Sequence, residues 1–119
     1  DIIGCPCPQW KNEDLYWVVM DKIREEYKPI PPERRKGLQE IDAVGTGCIL
    51  IAKRVLEKIE APFIDKKSKE GLLVLGEDFY FCEKAKEKGF KIWVHWDYPC
   101  EHFKRIGLIQ ILKLLEKYG

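Results

Sequence analysis

The chain has 119 residues, of which 45% are hydrophobic and 34% charged. That composition is typical of one soluble globular domain, large enough to bury a core without disulfides or metals. The net charge of +1 gives no reason to expect a nucleic acid or an anionic membrane as a partner. No apolar run approaches the roughly 20 residues of a membrane span, and no signal peptide is present, so we expect a cytoplasmic location.

The numbers of amides and cysteines indicate the kind of source organism and whether disulfides are expected. Charges of both signs are abundant and amide side chains are few, which favours a thermophilic source; the amides are Asn12, Gln9, Gln39 and Gln110. A secreted disulfide framework fits poorly, because the cysteine count is odd and most cysteines sit in apolar segments. The five cysteines are Cys5, Cys7, Cys48, Cys82 and Cys100.

The first third of the chain predicts extended structure. Residues 1–7 form a short strand that Pro6 and Pro8 stop. The apolar run 15–20 predicts a strand that is buried on both faces. Residues 21–30 predict either a helical turn or a second strand or extended arm, and the proline-rich residues 29–37 predict a loop.

The middle of the chain alternates strand, helix and loop. A strand over 38–44 is broken by Gly45-Thr46-Gly47 and resumes over 48–52. Residues 53–59 predict a helix with three inward side chains, Val55, Leu56 and Ile59. The polar residues 65–71 predict a surface loop, the most mobile part of the chain.

Residues 76–102 carry the most informative pattern. Glu77 and Asp78 stand in the first turn of a predicted helix, where free N–H groups favour carboxylates. Apolar residues at helical spacing, Phe79, Cys82 and Ala85, form its inner face, and Gly89 ends it. The alternating residues 90–97 then predict a strand. Beyond His102, apolar residues at positions 108, 111, 112 and 115 predict an amphipathic helix that packs on the rest.

The segment 76–102 resembles the C-terminal half of GT-A-type, family-2-like glycosyltransferases. The resemblance rests on Gly76-Glu77-Asp78, Glu87-Lys88-Gly89-Phe90 and the strand that leads to His102. Residues 40–51 are similar to the strand by which that family enters its acceptor region. The resemblance implies one α/β domain over 1–119, with a mixed sheet flanked by helices as part of a GT-A fold.

The resemblance also implies a site. Asp78 would be the general base at the acceptor hydroxyl and Glu77 would support it. His102 would help to hold a divalent metal, Mn²⁺ or Mg²⁺, that binds the diphosphate of a nucleotide-sugar donor. Gly45, Thr46 and Gly47 could line the donor or acceptor pocket through their backbone, and Trp96 could stack on a sugar. The purely structural alternatives are a helix cap at 77–78, a β-bulge at 45–47 and a core tryptophan at 96.

The chain departs from that family in two respects. No Asp-x-Asp motif occurs, and the nucleotide-binding N-terminal half is absent. We therefore expect a fragment of a metal-dependent transferase that is inactive alone and that uses a missing N-terminal half to bind its donor. The competing class is a non-catalytic binding or interaction domain with a glycosyltransferase-like fold. A sheet edge exposed by the missing half could pair with a second copy to give a homodimer.

A structural zinc is a rival interpretation. Cys5, Cys7, Cys100 and His102 form two short ligand pairs that could converge on one ion. The single residue between the partners of each pair is tighter than the usual zinc knuckle. The sequence does not identify the donor sugar, the acceptor, or whether the reaction inverts or retains configuration.

Overall fold

A computed structural model describes residues 1–11 and 13–119 and shows a mixed α/β architecture. The helices are α1 (Lys53–Lys58), α2 (Glu77–Glu87) and α3 (Leu108–Tyr118), with a 3-10 turn at Pro32–Arg34. The strands are β1 (Ile2–Gly4), β2 (Pro8–Lys11), β3 (Asp14–Trp17), β4 (Val19–Ile23), β5 (Glu26–Pro29), β6 (Leu38–Ile41), β7 (Ala43–Val44), β8 (Ile49–Ile51), β9 (Lys66–Lys67), β10 (Leu73–Leu75) and β11 (Ile92–His95).

The main sheet has four strands in the order β6-β11-β1-β8. Strands β1 and β11 run parallel, while β8 and β6 pair antiparallel on either side. One row of register partners, Ile2, Ile92, Ile41 and Ile51, faces the core. The sheet is therefore mixed, as the sequence predicts, although it is small and three further sheets of two or three strands surround it.

Helix α2 packs its buried side into this core. Its buried residues are Phe81, Cys82 and Ala85, so two of the three predicted positions are confirmed. Phe79 is only half-buried because it lies on the side of the helix that faces β5, where its ring packs on Tyr27 at 5.2 Å between centroids.

The end of α2 follows local sequence rules. The Phe90 N–H donates to the Ala85 carbonyl at 3.0 Å and the Gly89 N–H donates to the Lys86 carbonyl at 2.9 Å. Gly89 has a φ of 88°, a left-handed conformation that glycine adopts without strain. The predicted helix end at Gly89 is confirmed.

The prediction of one buried strand over 15–20 is wrong. The chain bends at Val18 and divides the run between β3 and β4, and Leu15 is 53% exposed. Val18 donates its N–H to the Cys7 carbonyl and accepts from the Gly45 N–H, both at 2.9 Å. These long-range bonds turn the backbone, so two hairpins, β2–β3 and β4–β5, replace the single strand. The second strand within 21–30 is confirmed as β5.

Two predictions in the middle of the chain need correction. Val55 and Ile59 are buried, but Leu56 is 40% exposed, because α1 has less than two turns and only one side meets the core. The segment 65–71 is not only a loop, since Lys66 and Lys67 form β9 and pair with β10.

Helix α3 forms as predicted but does not pack its apolar row on the core. None of its residues is buried, and Leu112 is 59% exposed. The helix attaches to the β2–β3 hairpin through polar groups instead. Lys117 pairs with Asp14, and the Leu15 N–H donates to the Tyr118 hydroxyl at 3.4 Å.

The edge strands and the outer face of the main sheet are the surfaces relevant to partner binding. Within residues 1–11 and 13–119, β6 and β8 have no further strand beside them, so edge pairing to form a homodimer stays a prediction. The outer face carries Ile3, Trp93 and the exposed Leu38 and Leu50. None of the helices in the described part of the chain has the length and apolarity needed to cross a bilayer.

Candidate functional site

The carboxylate of Asp78 lies beside the Gly45 corner. A methyl group added to Gly45 would come within 3.8 Å of Asp78 Oδ2. The other oxygen, Oδ1, accepts the Phe79 N–H at 2.8 Å, so the carboxylate folds back over the first turn of α2. The structure therefore brings together two of the predicted site elements, Asp78 and the turn at 45–47.

The electrostatics of Asp78 suit a proton acceptor. Burial raises the pKa of its carboxyl above the ordinary value, the Phe79 N–H opposes that rise, and the charge of Glu77 adds to it. Lys11 opposes the rise as well, and Asp78 in turn contributes, after burial, to a raised pKa at the Tyr16 hydroxyl. A carboxylate with a raised pKa is a stronger base than one in water.

An aromatic groove is lined by two neighbours of Asp78, Tyr16 and Phe79, although Asp78 itself does not line it. It has a volume of about 550 Å³ and lies between β3, β4, β5 and the start of α2. Six of its lining side chains are large and mostly aromatic: Tyr16, Trp17, Met20, Tyr27, Phe79 and Tyr118. The sequence analysis missed this groove because its walls come from two hairpins and two helices. The local signal is the apolar run 15–20, which supplies Tyr16, Trp17 and Met20 to the lining.

Glu77 and Trp96 lie away from that groove. Glu77 is exposed and borders a separate depression with Phe63, Ile64 and Lys67. Trp96 donates its Nε1–H to Gln39 Oε1 at 2.9 Å and packs edge-on against Trp17, with centroids 6.1 Å apart. Trp96 thus supports the back of Trp17 and does not itself line the groove. Thr46 and Gly47 are exposed.

His102 lies on the other side of the β2–β3 hairpin. Its Nδ1 lies 3.0 Å from the Pro8 carbonyl, which can only accept, so Nδ1 is the donor in this contact and Nε2 is the ring nitrogen not used by it. Metal-binding histidines commonly show this arrangement. Two further hydrogen bonds join the segment around His102 to the backbone in and just before β2. The Cys100 N–H donates to the Pro6 carbonyl and Lys104 Nζ donates to the Trp10 carbonyl, both at 2.8 Å.

The β2–β3 hairpin therefore connects the predicted site residues. His102 contacts Pro8 on one strand, while Tyr16 and Trp17 on the other strand approach Asp78 and Trp96. Across residues 1–11 and 13–119, no three His, Cys, Asp or Glu side chains are arranged to hold a metal ion.

The rival zinc ligands are arranged differently from the sequence prediction. Cys48, which was not among them, lies beside Cys5, and Cys100 lies beside Cys7. Burial raises the pKa of the Cys7 thiol to about 11, and the adjoining Cys100 thiol adds to the rise. All five cysteines are reduced in this structure.

No protein-family model fits the chain, and no solved structure resembles it significantly. The geometry of the chain itself is therefore the basis for assigning a function.

Proposed function

We propose that this chain is the acceptor-side half of a metal-dependent glycosyltransferase, which moves a sugar from a nucleotide-sugar donor to an acceptor hydroxyl. The observation that carries the proposal is the half-buried Asp78 carboxylate, which faces the Gly45 corner and neighbours two residues that line the aromatic groove, Tyr16 and Phe79. Its pKa is raised by burial, which suits general-base catalysis near neutral pH. The resemblance of residues 76–102 to family-2-like transferases supports the same role.

In this proposal Asp78 takes the proton from the acceptor hydroxyl. The acceptor oxygen forms a bond to the anomeric carbon of the donor sugar as the bond from that carbon to the diphosphate breaks. A base on the acceptor side implies attack opposite the leaving group and hence inversion at the anomeric carbon. A product that keeps the donor's anomeric configuration would remove Asp78 from this role.

The aromatic groove would hold the acceptor. The C–H-rich faces of sugar rings pack on aromatic side chains, and tyrosine hydroxyls add hydrogen bonds at the rim. Tyr16 and Phe79, which lie nearest to Asp78, would position the reacting hydroxyl. Trp96 lies outside the groove lining and would hold the ring of Trp17 in position, since the two rings pack edge-on.

His102 would contribute Nε2 to the divalent metal that binds the donor diphosphate. When bound, that ion neutralises charge on the leaving group. His102 is the one described residue that the proposal assigns to the ion, so the remaining donor contacts would come from a nucleotide-binding half, and the chain alone would be inactive. The uncovered outer face around Ile3, Trp93 and Leu50 offers such a half an apolar surface to cover.

Calorimetric titration with UDP and GDP, with and without Mn²⁺, tests the proposal. We expect weak binding that requires Mn²⁺ and that His102→Ala abolishes. His95→Ala is the matched control, because His95 is the other histidine of the chain and packs on Tyr98 at 4.7 Å instead of on β2. Metal-independent binding, or equal loss in both variants, would contradict the assignment of His102.

A non-catalytic carbohydrate-binding domain is the second candidate. The specific observation in its favour is that the groove could hold a sugar by its aromatic walls without any metal. Saccharide binding that Asp78→Asn leaves unchanged, together with no nucleotide binding under any condition, would select this candidate.

A further inference from the structure

Four of the five cysteines meet at one end of the main sheet. Cys5 follows β1 and Cys48 precedes β8, while Cys7 and Cys100 come from the segments after β1 and β11. The fifth, Cys82, is fully buried in α2, and its thiol lies 3.6 Å from the Val44 carbonyl. Three separate stretches of chain thus bring their thiols to one place.

Cys5 and Cys48 are direct partners across antiparallel strands. The register that pairs Gly4 with Ile49 continues by one residue, and the Cys5 N–H donates to the Cys48 carbonyl at 2.9 Å. Residues in such a hydrogen-bonded pair have Cα atoms about 5.5 Å apart. Disulfides span about 4.4–6.8 Å between Cα atoms, so this pair lies within their reach.

Cys7 and Cys100 form the second pair. The Cys100 N–H donates to the Pro6 carbonyl at 2.8 Å, which holds Cys100 next to Cys7, and the neighbouring Cys100 thiol contributes, after burial, to the raised pKa of Cys7. Gly47 leaves the space that the Cys7 thiol fills, because a methyl group at Gly47 would lie only 3.0 Å from Cys7 Sγ.

Within this cluster two pairings stand out, Cys5 with its strand partner Cys48 and Cys7 with Cys100, although the four thiols also influence one another across the pairs. The described residues hold no arrangement of three or more such ligands that would suit a metal ion. Disulfide exchange requires only two neighbouring thiols at a time, whereas a tetrahedral zinc site requires four converging ligands.

We propose that Cys5–Cys48 and Cys7–Cys100 are two redox-active pairs that close to disulfides when the chain meets a disulfide oxidant such as oxidised glutathione. In each pair one thiolate attacks the oxidant and releases one reduced glutathione. The second thiolate then displaces the other glutathione from the mixed disulfide. Two thiol protons and two electrons leave each pair, and one disulfide is reduced to two thiols.

Closure would fix the segment that carries His102. Residues 99–107 have no helix or strand, and most are exposed. A bond from Cys100 to Cys7 would tie that segment to the end of β1, and a bond from Cys5 to Cys48 would tie β1 to β8. The inference does not rest on the proposed transferase activity, since it concerns the thiols alone.

Thiol trapping after oxidation tests the pairing. The chain is equilibrated with oxidised glutathione, quenched in acid, unfolded, alkylated with N-ethylmaleimide and analysed by mass spectrometry. We expect one alkylated thiol, Cys82, and four protected ones. Because Cys5 and Cys7 share one tryptic peptide, serine variants separate the pairs. Cys5→Ser should leave only the link to Cys100, and Cys7→Ser only the link to Cys48.

Cys82→Ser is the matched control and should keep both disulfides. Alkylation of all five thiols after oxidation would overturn the proposal, as would a link from Cys7 to Cys48 in Cys5→Ser. One equivalent of zinc that stays with the chain through dialysis, and that Cys48→Ser releases, would also overturn it and would select a four-cysteine metal site.

Discussion

The backbone of Gly45 faces the carboxylate of Asp78 at a distance that leaves room for one methyl group in ordinary van der Waals contact. That methyl group would lie 3.8 Å from Asp78 Oδ2 and 2.9 Å from Val18 Cγ1. The position of the candidate base is thus coupled to the turn at 45–47 and, through Val18, to the bend between the two hairpins.

Gly45→Ala should reduce the free energy of unfolding by about 1–3 kcal/mol, because the new methyl group overlaps a packed valine. It should also shift the pKa of Asp78, followed by NMR of its carboxyl carbon. Gly4→Ala is the control: its methyl group would meet Val44 at 2.8 Å, and its three nearest neighbours are all atoms of Val44, not of Asp78. Equal effects of both variants on the Asp78 pKa would contradict the coupling.

Asp78→Asn should increase the stability of the chain at neutral pH. The folded-state pKa of Asp78 is raised by burial, so the folded state binds the proton more tightly than the unfolded state does. Stability is therefore lost as pH rises from the ordinary carboxyl pKa through the raised value. Urea unfolding at pH 7 should show the gain, and unfolding below the ordinary pKa of 3.8 should show almost none. A constant difference across this range would argue against a raised pKa.

The stabilisation from Glu83 should depend on pH in the direction opposite to that of Asp78. Its carboxylate accepts from Lys66 Nζ at 2.6 Å and from the Tyr27 hydroxyl at 3.3 Å. Burial alone would raise the pKa of Glu83, but these partners hold it below the ordinary value. The stabilisation is then complete above the ordinary pKa and is lost as pH falls through the lowered value.

Glu83→Gln should therefore cost about 1–3 kcal/mol at pH 7, because Lys66 loses its ionic partner in a half-buried site. The difference should fade in acid. Glu87→Gln on the exposed side of the same helix should stay within about 0.5 kcal/mol. Thermal unfolding of both variants at pH 7 and pH 3 measures this, and a cost for Glu83→Gln that is the same at both values would count against the ion pair.

Helix α3 should tolerate polar substitution on its exposed apolar row. Leu112→Gln should change the free energy of unfolding by no more than about 0.5 kcal/mol. Leu114 is half-buried and lines a depression with Trp10 and Glu13. Leu114→Gln should therefore reduce the free energy of unfolding by about 1–2 kcal/mol. Chemical denaturation of the two variants checks the prediction, and a larger loss for Leu112→Gln would mean that this row is covered in solution.

Local signals predicted α2 and β11 well, and long-range contacts explain the failures. The end of α2 depends on Gly89 and its immediate neighbours, so the sequence determines it. The division of 15–20 into β3 and β4 depends on bonds from Val18 to Cys7 and Gly45, which no local pattern reveals. The approach of Asp78 to Gly45 depends on the packing of α2 beside β7, which joins residues far apart in the sequence. The groove and the pairing of Cys48 with Cys5 required the folded arrangement of several strands.

An NMR titration with saccharides tests most directly whether Asp78 and the groove form an acceptor site. We predict that a mono- or oligosaccharide moves the carboxyl signal of Asp78 and the amide signals of Tyr16 and Phe79. Tyr16→Ala should weaken the binding at least tenfold, while Tyr98→Ala, an exposed tyrosine packed on His95, should not. If a panel of saccharides leaves Asp78 unmoved, or moves only signals outside the groove, the acceptor-site account is wrong.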